Sequence, residues 1–190
     1  MDRYILTASL RADGSSLLAD GHKWGYFPSV AVAWRMNEES FLKGFDELSN
    51  LKLRLSWGES GQSAIDPYQT VGLLGSSTYS FNNDLASGLY PKTMSNKNLT
   101  WETTSVFDLG VDFGFFNNRL SVDVYKSYTR NVLMNRKIPS TNGYTEVMEN
   151  IGKTENFGID VALNSVNIQK KNFTWTTDFT LSHNKEKIKE

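Results

Sequence analysis

The chain has 190 residues, 39% hydrophobic and 13% aromatic, with a formal net charge of −1 and no cysteine. That length and apolar content suffice for a sizeable core and exclude disorder as the default state. The near-neutral charge offers no broad basic face for nucleic acid, and the lack of cysteine excludes disulfide frameworks and thiolate metal sites.

Seven segments alternate with period two, the pattern of strands with two unlike faces. In the first, Arg3–Asp13, Tyr4, Leu6, Ala8 and Leu10 oppose Ile5, Thr7, Ser9 and Arg11. The second runs from about Phe27 to Met36 and sets Val30, Val32, Trp34 and Met36 against Ser29, Ala31, Ala33 and Arg35. The third, Leu51–Gly58, separates Leu51, Leu53, Leu55 and Trp57 from Lys52, Arg54 and Ser56. In the fourth, Trp101–Phe116, Phe107, Leu109, Val111, Phe113 and Phe115 oppose Asp108, Gly110, Asp112 and Gly114. The fifth, Arg119–Arg130, sets Leu120, Val122 and Val124 against Ser121, Asp123 and Tyr125. The sixth, Thr154–Asn167, sets Phe157, Ile159, Val161 and Leu163 against Gly158, Asp160, Ala162 and Asn164. In the seventh, Phe173–Asn184, Phe173, Trp175, Phe179 and Leu181 oppose Thr174, Thr176, Asp178 and Thr180.

Each segment is close to the roughly 9–11 residues that cross a bilayer at a tilt, whereas soluble strands more often have about five or six. No run of about 18 apolar residues occurs, which excludes a membrane helix but not a membrane strand, whose hydropathy signal is weak. No secretory signal is read at the N-terminus, so for an exported protein Met1 would not be the start. The sequence opens and stops in strand patterns and reads as a stretch of something longer.

The connections alternate in length. Long segments, Gly14–Tyr26, Glu59–Thr100 and Asn131–Lys153, follow strands one, three and five and read as irregular; shorter ones follow strands two, four and six. Outer-membrane barrels show this asymmetry, with long loops outside and tight turns in the periplasm. The stretch Asn37–Asn50 predicts one short helix, with Asn37 as cap and Glu38 and Glu39 in its first turn. Asn117-Asn118 fits a two-residue hairpin turn, because Asn tolerates positive φ. That turn places Phe115 opposite Leu120, Phe113 opposite Val122, and Asp112 opposite Asp123. Strands six and seven require an odd loop or a bulge near Gln169–Asn172 to keep apolar residues facing one another.

The apolar faces carry almost no charge, Lys126 being the exception by parity. Aromatics gather towards the strand ends: Trp34, Phe113, Phe115 and Trp175 at the turn side, Trp57, Trp101, Tyr128 and Phe157 at the loop side. Two such girdles match the two membrane interfaces. A soluble β-sandwich would place aromatics in mid-strand as often as at the ends.

The polar faces carry Asp108, Asp112, Asp123, Asp160 and Asp178, with Lys52 and Arg54 on the neighbouring third strand. Facing carboxylates, with Cβ atoms about 4.5–5.5 Å apart, are compatible with a glycosidase pair of Asp112 and Asp123. A hydrophilic lining in which the basic residues pair with the acids is the stronger reading. Arg54, Asp108, Asp112, Asp123 and Asp160 are therefore the lumen-facing candidates, with no catalytic, cofactor or metal residues assigned. His22 and His183 are far apart in sequence, and no phosphate-loop or nucleophile-elbow spacing occurs. Exposed loop aromatics such as Trp24, Tyr26, Tyr68, Tyr79, Phe81 and Tyr90 either grip sugar rings or a partner, or pack the loops together.

Several stretches together resemble the SusC/RagA group of TonB-dependent transporters: Arg11-Ala-Asp-Gly-Ser-Ser16, Gly25-Tyr-Phe-Pro-Ser29 followed by Ala33-Trp34, and Leu51-Lys-Leu-Arg-Leu-Ser-Trp-Gly58. Asn98-Leu-Thr-Trp-Glu102, Asn142-Gly143, Glu149-Asn-Ile-Gly152 and Asn156-Phe-Gly-Ile-Asp160 continue the likeness over nearly the whole chain. The resemblance implies an all-β fold: about seven antiparallel strands from the later part of a roughly 22-stranded transmembrane barrel that encloses a plug domain. It implies a place in the cell outer membrane of Bacteroidota, in contact with its lipids. It further implies import of glycans or peptides, a SusD-like surface lipoprotein as lid, and energy from the TonB complex acting through an N-terminal part. Residues 1–190 would then be a partial barrel domain without plug or TonB box, needing no cofactor and catalysing no reaction. The alternatives are a soluble β-sandwich that binds carbohydrate through its loop aromatics, and a hydrolase using Asp112 and Asp123.

Overall fold

The computed structural model describes residues 3–116, 118–139, 141, 143–144 and 146–189. The strands are β1 (Tyr4–Gly14), β2 (Trp24–Arg35), β3 (Leu48–Gln62), β4 (Leu74–Phe81), β5 (Asp84–Pro91) and β6 (Glu102–Phe115). They continue as β7 (Asn118–Arg130), β8 (Leu133–Lys137), β9 (Glu146–Asn150), β10 (Lys153–Lys170) and β11 (Phe173–Lys189). Seven of them form one antiparallel sheet in the order β1-β2-β3-β6-β7-β10-β11; β4–β5 and β8–β9 are separate two-stranded sheets.

The seven sheet strands are the seven periodic segments. They run from 11 residues in β1 to 18 in β10, long enough to cross a bilayer at a tilt. They outrun the periodicity because alternation fades where polar ends continue the ladder beyond the apolar band. One end of the sheet carries the connections 36–47, 116–117 and 171–172, and the other carries 15–23, 63–101 and 131–152. The loop asymmetry read from the sequence is thus present in the fold.

Register follows the faces. Apolar residue meets apolar residue from Tyr4↔Trp34 and Leu6↔Val32 through Val32↔Leu55, Leu55↔Leu109, Leu109↔Val124, Val124↔Ile159 and Val161↔Leu181. The bulge required between β10 and β11 lies at Asn167, between Val166 and Ile168, just before the predicted stretch. Its extra residue restores the match that a two-residue turn after Lys170 would break. Asn167 Nδ2 donates to Thr177 Oγ1 at 2.6 Å, which holds the bulge to the partner strand.

Three local expectations need correction. The β6–β7 pairing is shifted by two residues, so Phe113 faces Leu120, Val111 faces Val122 and Asp112 faces Ser121. Phe116 (φ 51°) takes the turn instead of Asn118, while Asn117 lies outside the described residues. The Phe116 N–H donates to Glu47 O at 2.8 Å and its ring packs on Phe115 at 4.6 Å, which offsets the left-handed backbone. The predicted short helix is only a 3-10 turn, Met36–Glu38, preceded by Arg35 with no side-chain cap. Asn37 lies inside that turn, and its Oδ1 accepts from the Leu51 N–H at 3.5 Å.

The third correction concerns the long loops, read as irregular, which contain the two extra hairpins. Asn82 and Asn83 turn β4 into β5 with φ of 51° and 70°, the two positive values of a type I′ turn. The signal was Asn-Asn flanked by alternation, with Tyr79 and Phe81 before it and Leu85 and Leu89 after it.

Apart from Phe27 of β2, the buried hydrophobic residues sit in the loops and their hairpins. Leu18, Ile65 and Leu99 form a cluster against Leu17, Trp101, Leu133 and Met148, and Leu99 is fully buried. Among the described residues the sheet's apolar side has no second layer: Val32 (44%), Leu55 (42%) and Leu109 (41%) remain exposed. A β-sandwich would bury this face against an opposing sheet, so that reading ends here. Trp101 is also reassigned, from the loop-side girdle to the loop core, edge-on to Phe27 at 5.5 Å.

Candidate functional site

Two unlike faces are the functional feature of this sheet. On the apolar face the turn-end aromatics are anchored by a carboxylate from the adjoining connection. Glu39 Oε1 accepts from Tyr4 OH at 2.9 Å and Trp34 Nε1 at 3.1 Å, and Oε2 accepts from Arg3 at 3.2 Å. The Trp34 and Tyr4 hydrogen bonds hold the Glu39 carboxyl below the usual glutamate range. At the loop end Trp57 Nε1 donates to Ser105 Oγ at 3.0 Å. Rings with a satisfied polar tip suit an interface that is greasy on one side and wet on the other.

The polar face gathers all five of the acid and arginine candidates. The ladder sets them in rows across the strands: Arg54, Gly110, Asp123 and Asp160 in one, Lys52, Asp112 and Ser121 in the next, Ser56, Asp108 and Tyr125 in a third. Arg54 Nε and Nη2 donate to the two Asp112 oxygens, both at 3.0 Å. Ser121 Oγ donates to Asp112 at 2.9 Å, and Lys52 Nζ lies 3.7 Å away. Asp123 Oδ1 lies 2.8 Å from Arg54 Nη2, an ion contact outside good hydrogen-bond alignment.

Glycine makes that contact possible. A Cβ on Gly110 would stand 2.7 Å from Arg54 Cζ and overlap Asp123 Oδ1. The Tyr125 ring likewise covers Gly158 on the adjacent strand. Glycines on this face are therefore shelves for long side chains from the next strand.

The register places Asp112 and Asp123 in different rows, so the facing carboxylate pair does not exist. Asp123 instead faces Asp160 across the β7–β10 ladder. The surface around Arg54 and Asp108 is a shallow hollow of about 190 Å³, without an enclosed cleft. Such a face can solvate, attract and orient polar groups.

The loop end is a second polar and aromatic region, held together by a clasp that sequence reasoning missed. Asn150 Nδ2 donates to Thr100 O at 2.8 Å and to Asn131 O at 2.9 Å, and Asn150 Oδ1 accepts from the Thr100 N–H at 2.9 Å. Two long loops are thereby tied over the Leu99 core. The signal was Asn150 itself, within the Glu149-Asn-Ile-Gly152 phrase. Beside it, Arg136 makes a fork of two 2.8 Å hydrogen bonds to Glu149, which lowers the Glu149 pKa and raises that of Arg136.

The loop aromatics divide. Tyr90 and Tyr79 lie over Gly75 and Gly88 within their own hairpin, Phe81 packs edge-on to Tyr79, and Trp24 lies over Gly14. Tyr68 is different: it is 68% exposed, with φ 66°. It borders a hollow of about 660 Å³ that is also lined by Ser16, Asp20, Lys23, Thr70 and Lys97. Asp20 and Lys23 pair there at 2.6 Å, and the lysine keeps the Asp20 carboxyl below its ordinary value.

Comparison with known proteins identifies this architecture. The family model described as TonB dependent receptor-like, beta-barrel matches residues 1–188. TonB-dependent receptor P26 of Formosa agariphila is 40% identical over 189 residues, covering 98% of this chain and 19% of the relative. TonB-dependent receptor SusC of Bacteroides thetaiotaomicron is 38% identical over 196 residues, covering 99% of this chain and 19% of the relative. The chain thus spans about a fifth of the length of these curated relatives. Among solved structures, the RagAB peptide importer in its closed-closed state aligns with TM-score 0.89 and 28% identity, over 98% of this chain and 20% of the other. The siderophore receptor PirA of Pseudomonas aeruginosa, at TM-score 0.60 and 15% identity over 97% of this chain and 29% of the other, shares the fold alone. A single-layer sheet with an exposed apolar side, aromatics at both ends and loops segregated to one edge is what such a barrel wall requires, and the chain belongs to the TonB-dependent receptor β-barrel family, with SusC and RagA among its relatives.

Proposed function

We propose that this chain forms seven consecutive strands of the wall of an outer-membrane importer for glycans or peptides. The observation that carries the reading is the exposed apolar side of the sheet. Lipid acyl chains are its natural neighbour, and the ladders pair neighbouring strands along the apolar band, as hydrocarbon demands. The polar face then lines the lumen: Arg54, Asp108, Asp112, Asp123 and Asp160 hydrate it and offer ion-pairing partners to a plug. The face carries no bond-breaking machinery, so passage and not covalent chemistry is its work. The loops, stiffened by Leu99 and Asn150, meet a SusD-like lipoprotein and the cargo, with Tyr68 as the stacking platform for a sugar ring or peptide side chain. Energy enters from the TonB complex through the part of the barrel that holds the plug. The likeness to the RagAB peptide importer supports peptides as cargo, and glycans are the other class that the resemblance to the SusC/RagA group implies.

The test is uptake of labelled oligosaccharides and labelled peptides by cells with and without the intact protein. A lower uptake of one class in the deletion strain, restored by the intact gene, supports the proposal. Equal uptake of both classes in both strains, with the protein confirmed in the outer membrane, overturns it.

A further inference from the structure

Charge on the apolar side gathers at one corner of the loop end; at the turn end the register adds Lys170, opposite Phe173. The ladder aligns Trp57, Phe107, Lys126, Phe157 and Lys185 in one outward row at the loop end of the apolar band. The next row outward holds Glu59, Ser105, Tyr128, Glu155 and Lys187, and the one beyond it Gly61, Thr103, Arg130, Lys153 and Lys189. Six cations, Lys126, Arg130, Lys153, Lys185, Lys187 and Lys189, therefore stand on β7, β10 and β11, against two carboxylates, Glu59 and Glu155. Six minus two leaves +4 in three rows of a chain whose net charge is −1. The corresponding rows of β1, β2 and β6 hold no charge, and β3 supplies only Glu59.

The two acids organise the patch without neutralising it. Glu155 bridges Lys126 at 3.0 Å and Lys189 at 3.3 Å, and Glu59 pairs with Arg130. Among the described residues Lys153, Lys185 and Lys187 have no carboxylate within ion-pair distance, and all three are exposed. The row directly below holds Leu109, Val124, Ile159 and His183, and the next holds Val111, Val122, Val161 and Leu181, the top of the hydrocarbon-facing band.

We infer that this corner binds the phosphate groups of glycolipids in the outer leaflet. The inference rests on the lipid-facing orientation proposed above and is independent of the cargo. Cations set immediately above an acyl-facing surface match an amphiphile with an anionic head and greasy tails. A free anion would meet only a flat, open, salt-screened patch, whereas a lipid held in the bilayer plane adds tail contact with Val124, Ile159 and Leu181. Long loops mark this end as the outer side, which places the heads in the outer leaflet.

The test uses the intact protein, purified in detergent and scored by native mass spectrometry for retained lipid. The probes are lipid A with both phosphates, lipid A with its phosphates removed, and inorganic phosphate as competitor. The K153Q/K185Q/K187Q/K189Q variant is compared with K170Q/K171Q, which changes lysines at the turn end of the same two strands. The parent and the turn-end variant are expected to prefer the phosphorylated lipid. The quadruple variant should bind it roughly fivefold more weakly per lysine removed, several-hundredfold in all. It should hold the dephosphorylated form as the parent does. Heat-shifted gel migration checks that each variant is a folded barrel, and cargo uptake, expected to be unchanged, separates this inference from the importer proposal. Equal retention of the two lipids by the parent, or an unaltered preference in the quadruple variant, refutes the site. Displacement of the lipid by millimolar inorganic phosphate reassigns the patch to a free anion and refutes the lipid reading too.

Discussion

Arg54 on β3 reaches Asp123 on β7 at 2.8 Å across the whole width of β6, over the backbone of Gly110. Three strands are fixed in register by one guanidinium, which also forks onto Asp112. The absence of a side chain at Gly110 is as much a part of this bridge as its charges.

Gly110→Val should therefore break the bridge. The new methyls would occupy the space of Arg54 Cζ and Asp123 Oδ1, which is overpacking with a cost of about 1–3 kcal/mol. The expected result is a lower unfolding midpoint of the intact barrel in detergent. The same substitution at Gly44, which has open space around its Cβ position, should leave the midpoint unchanged. A Gly110→Val protein as stable as the parent would show that the bridge is not needed.

Val122 faces the apolar side at mid-strand, between Val111 and Val161. Val122→Arg should cost about 2–4 kcal/mol if the side chain meets the bilayer midplane. Ala162→Arg, on the polar face of the adjacent strand, should cost far less. Equilibrium unfolding of the intact protein from lipid vesicles measures both, and equal costs would contradict the assignment of faces.

Leu99 is fully buried in the loop core, and Asn150 makes three hydrogen bonds across the loops beneath it. Leu99→Ala should remove about 2–5 kcal/mol of packing, and Asn150→Ala should leave part-buried Thr100 backbone groups without their partner at about 1 kcal/mol. Both losses are local. Hydrogen exchange should accelerate in 63–101 and 131–152 while the sheet strands stay protected; equal acceleration in the strands would contradict a separate loop core.

The Arg136–Glu149 fork gives the outer hairpin a dependence on pH. Its hydrogen bonds lower the Glu149 pKa below the model-peptide value. A depressed carboxyl contributes stability above its unfolded pKa and loses it as pH falls through the folded value. The β8–β9 hairpin should therefore show lower amide protection factors, after correction for the intrinsic pH dependence of exchange, at about pH 3 than at neutrality. Glu149→Gln should show the same reduced protection factors at both pH values. A hairpin indifferent to acid would remove the fork from the account.

Much of the wall was legible because alternation is a local signal. The faces of all seven sheet strands, the loop asymmetry and the need for a bulge before β11 came from residue order, and so did the pairing of Arg54 with acids on the next strand. The misreadings share one cause. Moving β6 against β7 by two residues leaves every face unchanged, so parity could not choose between Asp112↔Asp123 and Asp112↔Ser121. Facing carboxylates repel, and the observed register sets Asp123 over Gly110 within reach of Arg54. Trp101 was assigned by its position at a strand end, yet its partners are Leu18 from another loop and Ile65 from the far end of its own.

The amino-acid sequence alone determined that this protein is a set of two-faced strands with one greasy and one polar side, because a period of two is written residue by residue. Tertiary structure alone decided the β6–β7 register, the row of Arg54, Gly110 and Asp123, and the packing of the loops around Leu99. Those features depend on how charges and side chains from different strands and loops meet, as in the Arg54–Asp112 pair separated by 58 positions, and a period of two does not encode which of them meet.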